Sequence, residues 1–146
     1  MRILPPALTL LLLVAMVAAR FAAPGPILLP VPWNGAGLAP LVLGLWLLVA
    51  GSGTFRRVRT NINAFRDPDV LVTEGVFRIS RNPMYLGFTL LLLGAALLLG
   101  TATPLAGPIL FALVADLWYI RFEERAMRRR FGAAYEAYAR KVRRWI

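Results

Sequence analysis

No charged residue occurs from Phe21 to Phe55, nor again from Asn82 to Ala115. Each run is longer than the roughly 20 residues with which one helix crosses a bilayer, so each has to fold back on itself or contain a loop. The breaks fall where proline removes an amide hydrogen and glycine loosens a helix: Pro24, Gly25, Pro26, Pro30 and Pro32 in the first run, Gly100, Thr101, Thr103 and Pro104 in the second. Four spans are predicted, near residues 3–20, 36–53, 84–100 and 104–120. Each holds about 17 or 18 residues, the short end of the spanning range, and a shallow hairpin remains an alternative for the last pair. With 59% hydrophobic residues the 146-residue chain is too apolar for an ordinary soluble fold. The expected class is an all-α integral membrane bundle of about four transmembrane helices, one domain over residues 1–146, with an amphipathic helix at its C-terminal end.

Charge sets the expected orientation. Of the 17 basic residues, six (Arg56, Arg57, Arg59, Arg66, Arg78 and Arg81) lie between the second and third spans and nine lie from Arg121 to Arg144. By the positive-inside rule the 54–83 loop and the C-terminal tail face the cytoplasm, and four spans then put both termini there. Topology accounts for the net charge of +10, so nucleic acid is not an expected partner and the lipid bilayer is. Met1 to Ala23 also has the look of a signal peptide; a retained first span is the preferred reading, because nothing downstream resembles an exported domain.

The chain has no Cys and no His, which removes disulfides, thiolate catalysis and imidazole bases. Only seven acids are present, scattered as Asp67, Asp69, Glu74, Asp116, Glu123, Glu124 and Glu136, and no metal site is expected.

Polar residues concentrate where the third span begins, in Arg81-Asn82-Pro83-Met84-Tyr85-Leu86-Gly87. Asn82-Pro83 makes a helix start, the Asn side chain accepting from a first-turn amide and Pro fitting the first helical position. The free amides and partial positive charge of that helix end suit a carboxylate, and Arg81 adds to the anion site. Taken alone, Arg81 is equally a snorkelling anchor and Tyr85 an interfacial aromatic. Gly87 shares the face of Pro83, where a missing side chain admits either a flat ring or a neighbouring helix.

Together with Glu123-Glu124 and Phe131-Gly132-Ala133-Ala134-Tyr135-Glu136-Ala137-Tyr138, this string resembles the isoprenylcysteine carboxyl methyltransferase family and its phospholipid methyltransferase relatives, small integral membrane enzymes that use S-adenosylmethionine. The resemblance covers roughly residues 55 to 146, and Asn82 stands where the best-known members carry His. It implies a cofactor-binding core over 55–146, with Asn82, Pro83, Tyr85, Gly87, Glu123, Glu124, Tyr135 and Tyr138 toward the cofactor and Arg81 and Arg143 toward the substrate. It also implies that the C-terminal segment closes over the cofactor. Gly51-Ser52-Gly53 is similar to a short glycine motif of the phospholipid methyltransferases; a helix end accounts for it equally.

Asp116, Tyr119 and Glu123 lie at i, i+3 and i+7 and put two carboxylates and a phenol on one helix face. An ionisable group within a span is costly, so Asp116 is expected to face a polar partner such as Arg or a wet cavity. Helical pairing with Arg128, and with Arg121 or Arg125 nearby, is the structural alternative for Glu123 and Glu124. In the tail, Phe131, Tyr135, Tyr138, Val142 and Trp145 follow steps of four, three, four and three, one helical stripe. Such a helix is expected to lie along the membrane surface, with Arg128, Arg129, Arg130, Arg140, Arg143 and Arg144 toward anionic headgroups and Gly132 as a bend.

The expected function is methyl transfer from S-adenosylmethionine to a lipid-like or prenylated acceptor. A carboxylate acceptor is preferred, because once ionised it needs no general base, whereas a phospholipid amine must first lose a proton to a group such as Glu124, Tyr85 or Asp116. A non-catalytic membrane scaffold and a membrane reductase are the alternatives, although no nicotinamide phosphate loop is present for the latter.

Overall fold

The computed structural model describes residues 3–58 and 70–146. Arg59, Arg66, Asp67 and Asp69 of the central connection lie outside the described residues. Helix α1 spans Pro5–Ala22 and starts on two prolines, whose missing amide hydrogens cost nothing in a first turn. A 3-10 turn, Trp33–Gly37, leads into α2, Leu38–Arg57. Helix α3 is Pro83–Leu99, and it stops at Gly100, whose φ of 74° is a left-handed conformation that glycine adopts without strain. Helix α4, Ala106–Val114, passes through a π-helical turn, Ala115–Ile120, directly into α5, Arg121–Lys141.

The named elements among the described residues are thus all helices, and their ends fall within a few residues of the four predicted spans. Pro5–Ala22, Trp33–Arg57 and Thr103–Lys141 are each long and apolar enough to cross a membrane, and Pro83–Leu99 is a shorter apolar helix of 17 residues. The 39 residues of Thr103–Lys141 exceed one crossing. Thr103–Ile120 supplies the fourth span, and from Arg121 onward the helix is charged and lies beyond it.

Helix α3 is central. Helices α1, α2 and α4 all pack on it, and α1 also packs on α4. Leu12, Met16, Leu92, Ala96, Phe111, Ala115, Tyr119 and Ile120 form the buried core between α1, α3 and α4. Outward faces are apolar and exposed, as at Leu10, Val14, Trp46, Val49 and Ile109, which suits lipid as the surrounding solvent. At one end the loops tie together: Arg20 Nε donates to the Leu99 carbonyl at 2.9 Å, Thr103 Oγ1 to that of Ala23 at 2.6 Å, and the Leu28 amide to that of Gly100 at 2.9 Å. The start of α1, the end of α2, the start of α3 and the end of the fourth span therefore gather at the opposite end.

The α2–α3 seam is made by glycine. Gly37 and Gly44 on the α2 side are seven residues apart, as are Gly94 and Gly87 facing them on α3. A Cβ on Gly44 would stand 2.6 Å from the Gly87 carbonyl oxygen, and one on Gly37 would stand 2.5 Å from that of Gly94. Backbone meets backbone there, as small residues allow when helices pack inside a membrane. Of the two readings left open for Gly87, close helix approach is the one this geometry fits. Gly51 continues the line by touching Met84, while Gly53 meets nothing.

Two features of the C-terminal segment differ from the sequence reading. Helix α5 kinks at Gly132, with φ 46° and ψ −120°, as anticipated, but it ends at Lys141, and Val142 is extended at φ −121° and ψ 130°. Val142 and Trp145 are therefore not on the helical stripe. The physical reason is that the last residues gain partners by leaving the helix: the Arg81 amide donates to the Arg143 carbonyl at 3.0 Å, and Trp145 Nε1 donates to Asp116 Oδ1 at 3.0 Å. The stripe itself faces protein rather than the membrane surface, since Tyr135 is buried and Tyr138 donates to the Phe77 carbonyl at 2.6 Å.

Candidate functional site

At the end where both polar motifs meet, a cavity of about 320 Å³ is lined by Leu4, Pro5 and Pro6 of the α1 start, Phe55 of α2, Phe77 of the 3-10 turn Gly75–Arg78, Arg81 to Tyr85, Phe88 and Glu123. Its walls are mostly hydrocarbon and aromatic ring, with the polar groups in the Arg81–Tyr85 stretch and at Glu123, the composition of a small-molecule pocket. The first span contributes directly through Leu4, Pro5 and Pro6, so the cavity is not confined to residues 55–146.

Tyr85 projects from the first turn of α3 and donates to Glu123 Oε1 at 2.6 Å, a short bond of the charge-assisted kind. Its ring stacks on Tyr119 of the π-turn at 5.8 Å between centroids, which fixes the phenol. Glu123 lies beyond the fourth span, and burial pushes its carboxyl up to about 7, with the Tyr85 hydrogen bond opposing that rise. No cation pairs with Glu123 among the described residues.

Glu124, one residue on, turns away from the cavity and is buried in an ion-pair cluster. Arg144 grips it with Nη2 at 2.8 Å from Oε2 and Nε at 3.2 Å from Oε1, while Arg81 Nη2 stands 3.4 Å from Oε1. Arg128 reaches Glu124 only at 4.0 Å, and its own Nε bonds Glu136 at 2.8 Å. Arg144 Nη1 also holds Asp116, at 3.2 and 3.4 Å from its two carboxylate oxygens. Asp116 thus has the arginine partner considered for it. The Glu124 hydrogen bonds, before any other cause, hold the Arg144 guanidinium more firmly protonated.

Arg81 links the two regions. Its Nη1 donates to the Tyr135 hydroxyl at 3.3 Å, and its Nε is buried with no hydrogen-bond partner among the described residues. Burial raises the Tyr135 phenol, with the Glu124 charge adding to it, and burial pushes that of Tyr138 up to about 12.

Asn82 departs from its expected role. Its side chain makes no capping bond to the helix; instead Nδ2 donates to the Arg144 carbonyl at 3.0 Å, and its amide is taken by Ser80 Oγ at 3.0 Å. Its carboxamide nitrogen thus anchors the returning tail, which presents a carbonyl within reach.

Of the residues singled out, the structure brings Arg81, Asn82, Pro83, Tyr85 and Glu123 to the cavity. It sets Glu124 and Tyr135 behind Arg81, and Tyr138 against the Phe77 carbonyl. Gly87 sits on the helix seam. The side chain of Arg143 is exposed, and it is the neighbouring Arg144 that enters the cluster. Sequence reasoning placed Arg144 only among the basic residues of the tail; Asp116, an acid stranded in a span and in need of a cation, was the signal that could have found it.

The phospholipid methyltransferase family model matches residues 33–134. In Oryza sativa subsp. indica, a protein named "Probable protein-S-isoprenylcysteine O-methyltransferase" is 34% identical over 114 residues, which cover 73% of this chain and 56% of that protein. Protein-S-isoprenylcysteine O-methyltransferase B of Arabidopsis thaliana is 33% identical over 111 residues, 73% of this chain and 55% of its own length. The Schizosaccharomyces pombe protein-S-isoprenylcysteine O-methyltransferase is 38% identical over 76 residues, 50% of this chain and 31% of its own. The chain spans about half the length of the rice and Arabidopsis relatives. No solved structure gives a significant match.

Proposed function

Because the chain belongs to the phospholipid methyltransferase family, we propose that it transfers a methyl group from S-adenosylmethionine to the carboxylate of a lipid-like acceptor such as an S-prenylated cysteine. The observation that carries this reading is the meeting of the two motifs, Tyr85 on Glu123 at 2.6 Å and Arg81 beside Glu124 at 3.4 Å, at the polar end of an apolar cavity.

The residues fit such a cofactor. Among the described residues, Glu123 is a carboxylate lining the cavity with no cation paired to it, and Arg81 Nε is a buried donor without an acceptor. A cationic portion of the cofactor suits the first, and an anion such as the acceptor's carboxylate suits the second. When bound, S-adenosylmethionine supplies an electrophilic methyl group on a sulfonium. Glu123, oriented by Tyr85, would hold a cationic portion of it, with Asn82 and Pro83 at the same wall. Arg81 would position the acceptor anion, and Leu4, Pro5, Pro6, Phe55, Phe77 and Phe88 would house an apolar chain and keep water out. An ionised carboxylate in that position needs no base, and alignment is the main demand on the protein.

One observation favours amine methylation as a second reading. With its carboxyl raised to about 7, Glu123 can accept the proton that an ammonium acceptor must lose. The two readings separate in one assay with a methyl-labelled donor, offering N-acetyl-S-farnesylcysteine and, separately, phosphatidylethanolamine. Carboxyl methylation gives a product that releases its label as methanol in alkali, and amine methylation gives one that keeps it. Label in neither product by a protein that binds the cofactor would refute both acceptors.

The membrane orientation we infer puts both termini and the 54–83 connection on the cytoplasmic side, where the water-soluble cofactor enters while the acceptor comes from the bilayer.

A further inference from the structure

The last five residues return to the site by a dense set of contacts, and they converge on Arg144. Its side chain is held between two carboxylates, Asp116 and Glu124, and its carbonyl accepts from Asn82 Nδ2 at 3.0 Å and from Ser80 Oγ at 3.4 Å. Asp116 is also held by Trp145 Nε1 at 3.0 Å. The distances divide the charge of Glu124 unequally. Arg144 takes it with a two-pronged grip at 2.8 and 3.2 Å, whereas Arg81 has one contact at 3.4 Å. A guanidinium forked onto a carboxylate is committed to it; one at the edge of the pair is not.

Resting on the reading in which Arg81 meets the acceptor's carboxylate, we propose that Arg144 is a positioning residue: anchored on Asp116, it takes up Glu124 and so leaves Arg81 free to bind the acceptor. Without Arg144, Arg81 at 3.4 Å would be the closest remaining cation to Glu124 among the described residues, since Arg128 stands at 4.0 Å. Glu124 would draw the Arg81 guanidinium into a full ion pair, and the acceptor anion would then compete with a protein carboxylate. The apolar walls of the cavity and the Glu123–Tyr85 pair take no part in this exchange.

The test uses the full chain in detergent, with S-adenosylhomocysteine binding followed by calorimetry and methyl transfer measured on N-acetyl-S-farnesylcysteine. Arg144→Gln is expected to raise the acceptor KM at least tenfold while the Kd of S-adenosylhomocysteine moves less than threefold at unchanged stoichiometry. Arg144→Lys, which restores the charge without the fork, should recover part of the KM. Adding Glu124→Gln to Arg144→Gln should return the acceptor KM toward that of the unaltered protein, whatever happens to kcat, because the group that captures Arg81 is gone. An unchanged KM in Arg144→Gln would overturn the proposal. So would a loss confined to binding stoichiometry, which marks an unfolded fraction, or a double variant no better than the single one. Unaltered protein that binds S-adenosylhomocysteine but does not methylate this acceptor would remove the acceptor reading, and the role of Arg144 with it.

Discussion

Glu123 lines the cavity without a countercharge among the described residues, and Tyr85 keeps it aimed there. Since a cationic ligand binds the ionised carboxylate, affinity for S-adenosylmethionine should rise as pH increases through about 7 and level off above it. The Tyr85 hydrogen bond stabilises the ionised form, so Tyr85→Phe should move that midpoint upward, by about one pH unit for a charged hydrogen bond of about 1.5 kcal/mol. A pH series of binding isotherms checks both the midpoint and its direction of movement. Arg81→Ala should cost the acceptor rather than the cofactor, raising KM about 10- to 100-fold for the loss of a charge-assisted contact of about 1.5–3 kcal/mol; steady-state kinetics separates the two. At this scale Arg81, Tyr85 and Glu123 could be singled out from sequence because polar groups at the ends of two apolar spans stand out and match the motifs of the resembled family, and the structure places all three on the cavity. The part played by Arg144 was not, since its partners Asp116 and Glu124 lie 28 and 20 residues away and are met only because the chain leaves its helix after Lys141. Periodicity carries no information about such a return.

The element that decides the bundle's geometry is the α2–α3 seam. Each facing glycine admits a carbonyl where a side chain would stand, so Gly44→Ala should destabilise the protein by about 1–3 kcal/mol through overpacking, read as a lower melting temperature in detergent. Gly53→Ala, where an added Cβ meets nothing, should be neutral or stabilise by about 0.5–1 kcal/mol through helix propensity. Equal losses at both positions would mean that helix flexibility, not close approach, explains the glycines. The span limits were readable from sequence because proline, glycine and the absence of charge act locally. The seam was not, since seven-residue spacing becomes meaningful only once the partner helix and its register are known. The bend in α5 was readable at Gly132, while the burial of Tyr135 and Tyr138 against the site depended on where that bend directs the helix.

For the molecule as a whole, the antiparallel bundle gathers both polar motifs at one end and the 23–32 and 100–103 loops at the other. The chain has no native cysteine, so single cysteines at Ala102 and Ala139 can be labelled cleanly with a membrane-impermeant reagent. Ala139→Cys should react only from the cytoplasmic side and Ala102→Cys only from the opposite side; labelling of both from one side would contradict the inferred orientation. Methyl transfer in a membrane cavity requires before all else that the donor bind where the motifs meet. The most direct test is calorimetry of S-adenosylhomocysteine against the purified protein and its Glu123→Gln variant, with helicity checked by circular dichroism. Saturable binding near one site per chain, weakened at least tenfold by the substitution in a protein that stays helical, is the expected result. No binding by the folded, unaltered protein would contradict the methyltransferase account and leave a membrane scaffold or a reductase to explain the same bundle.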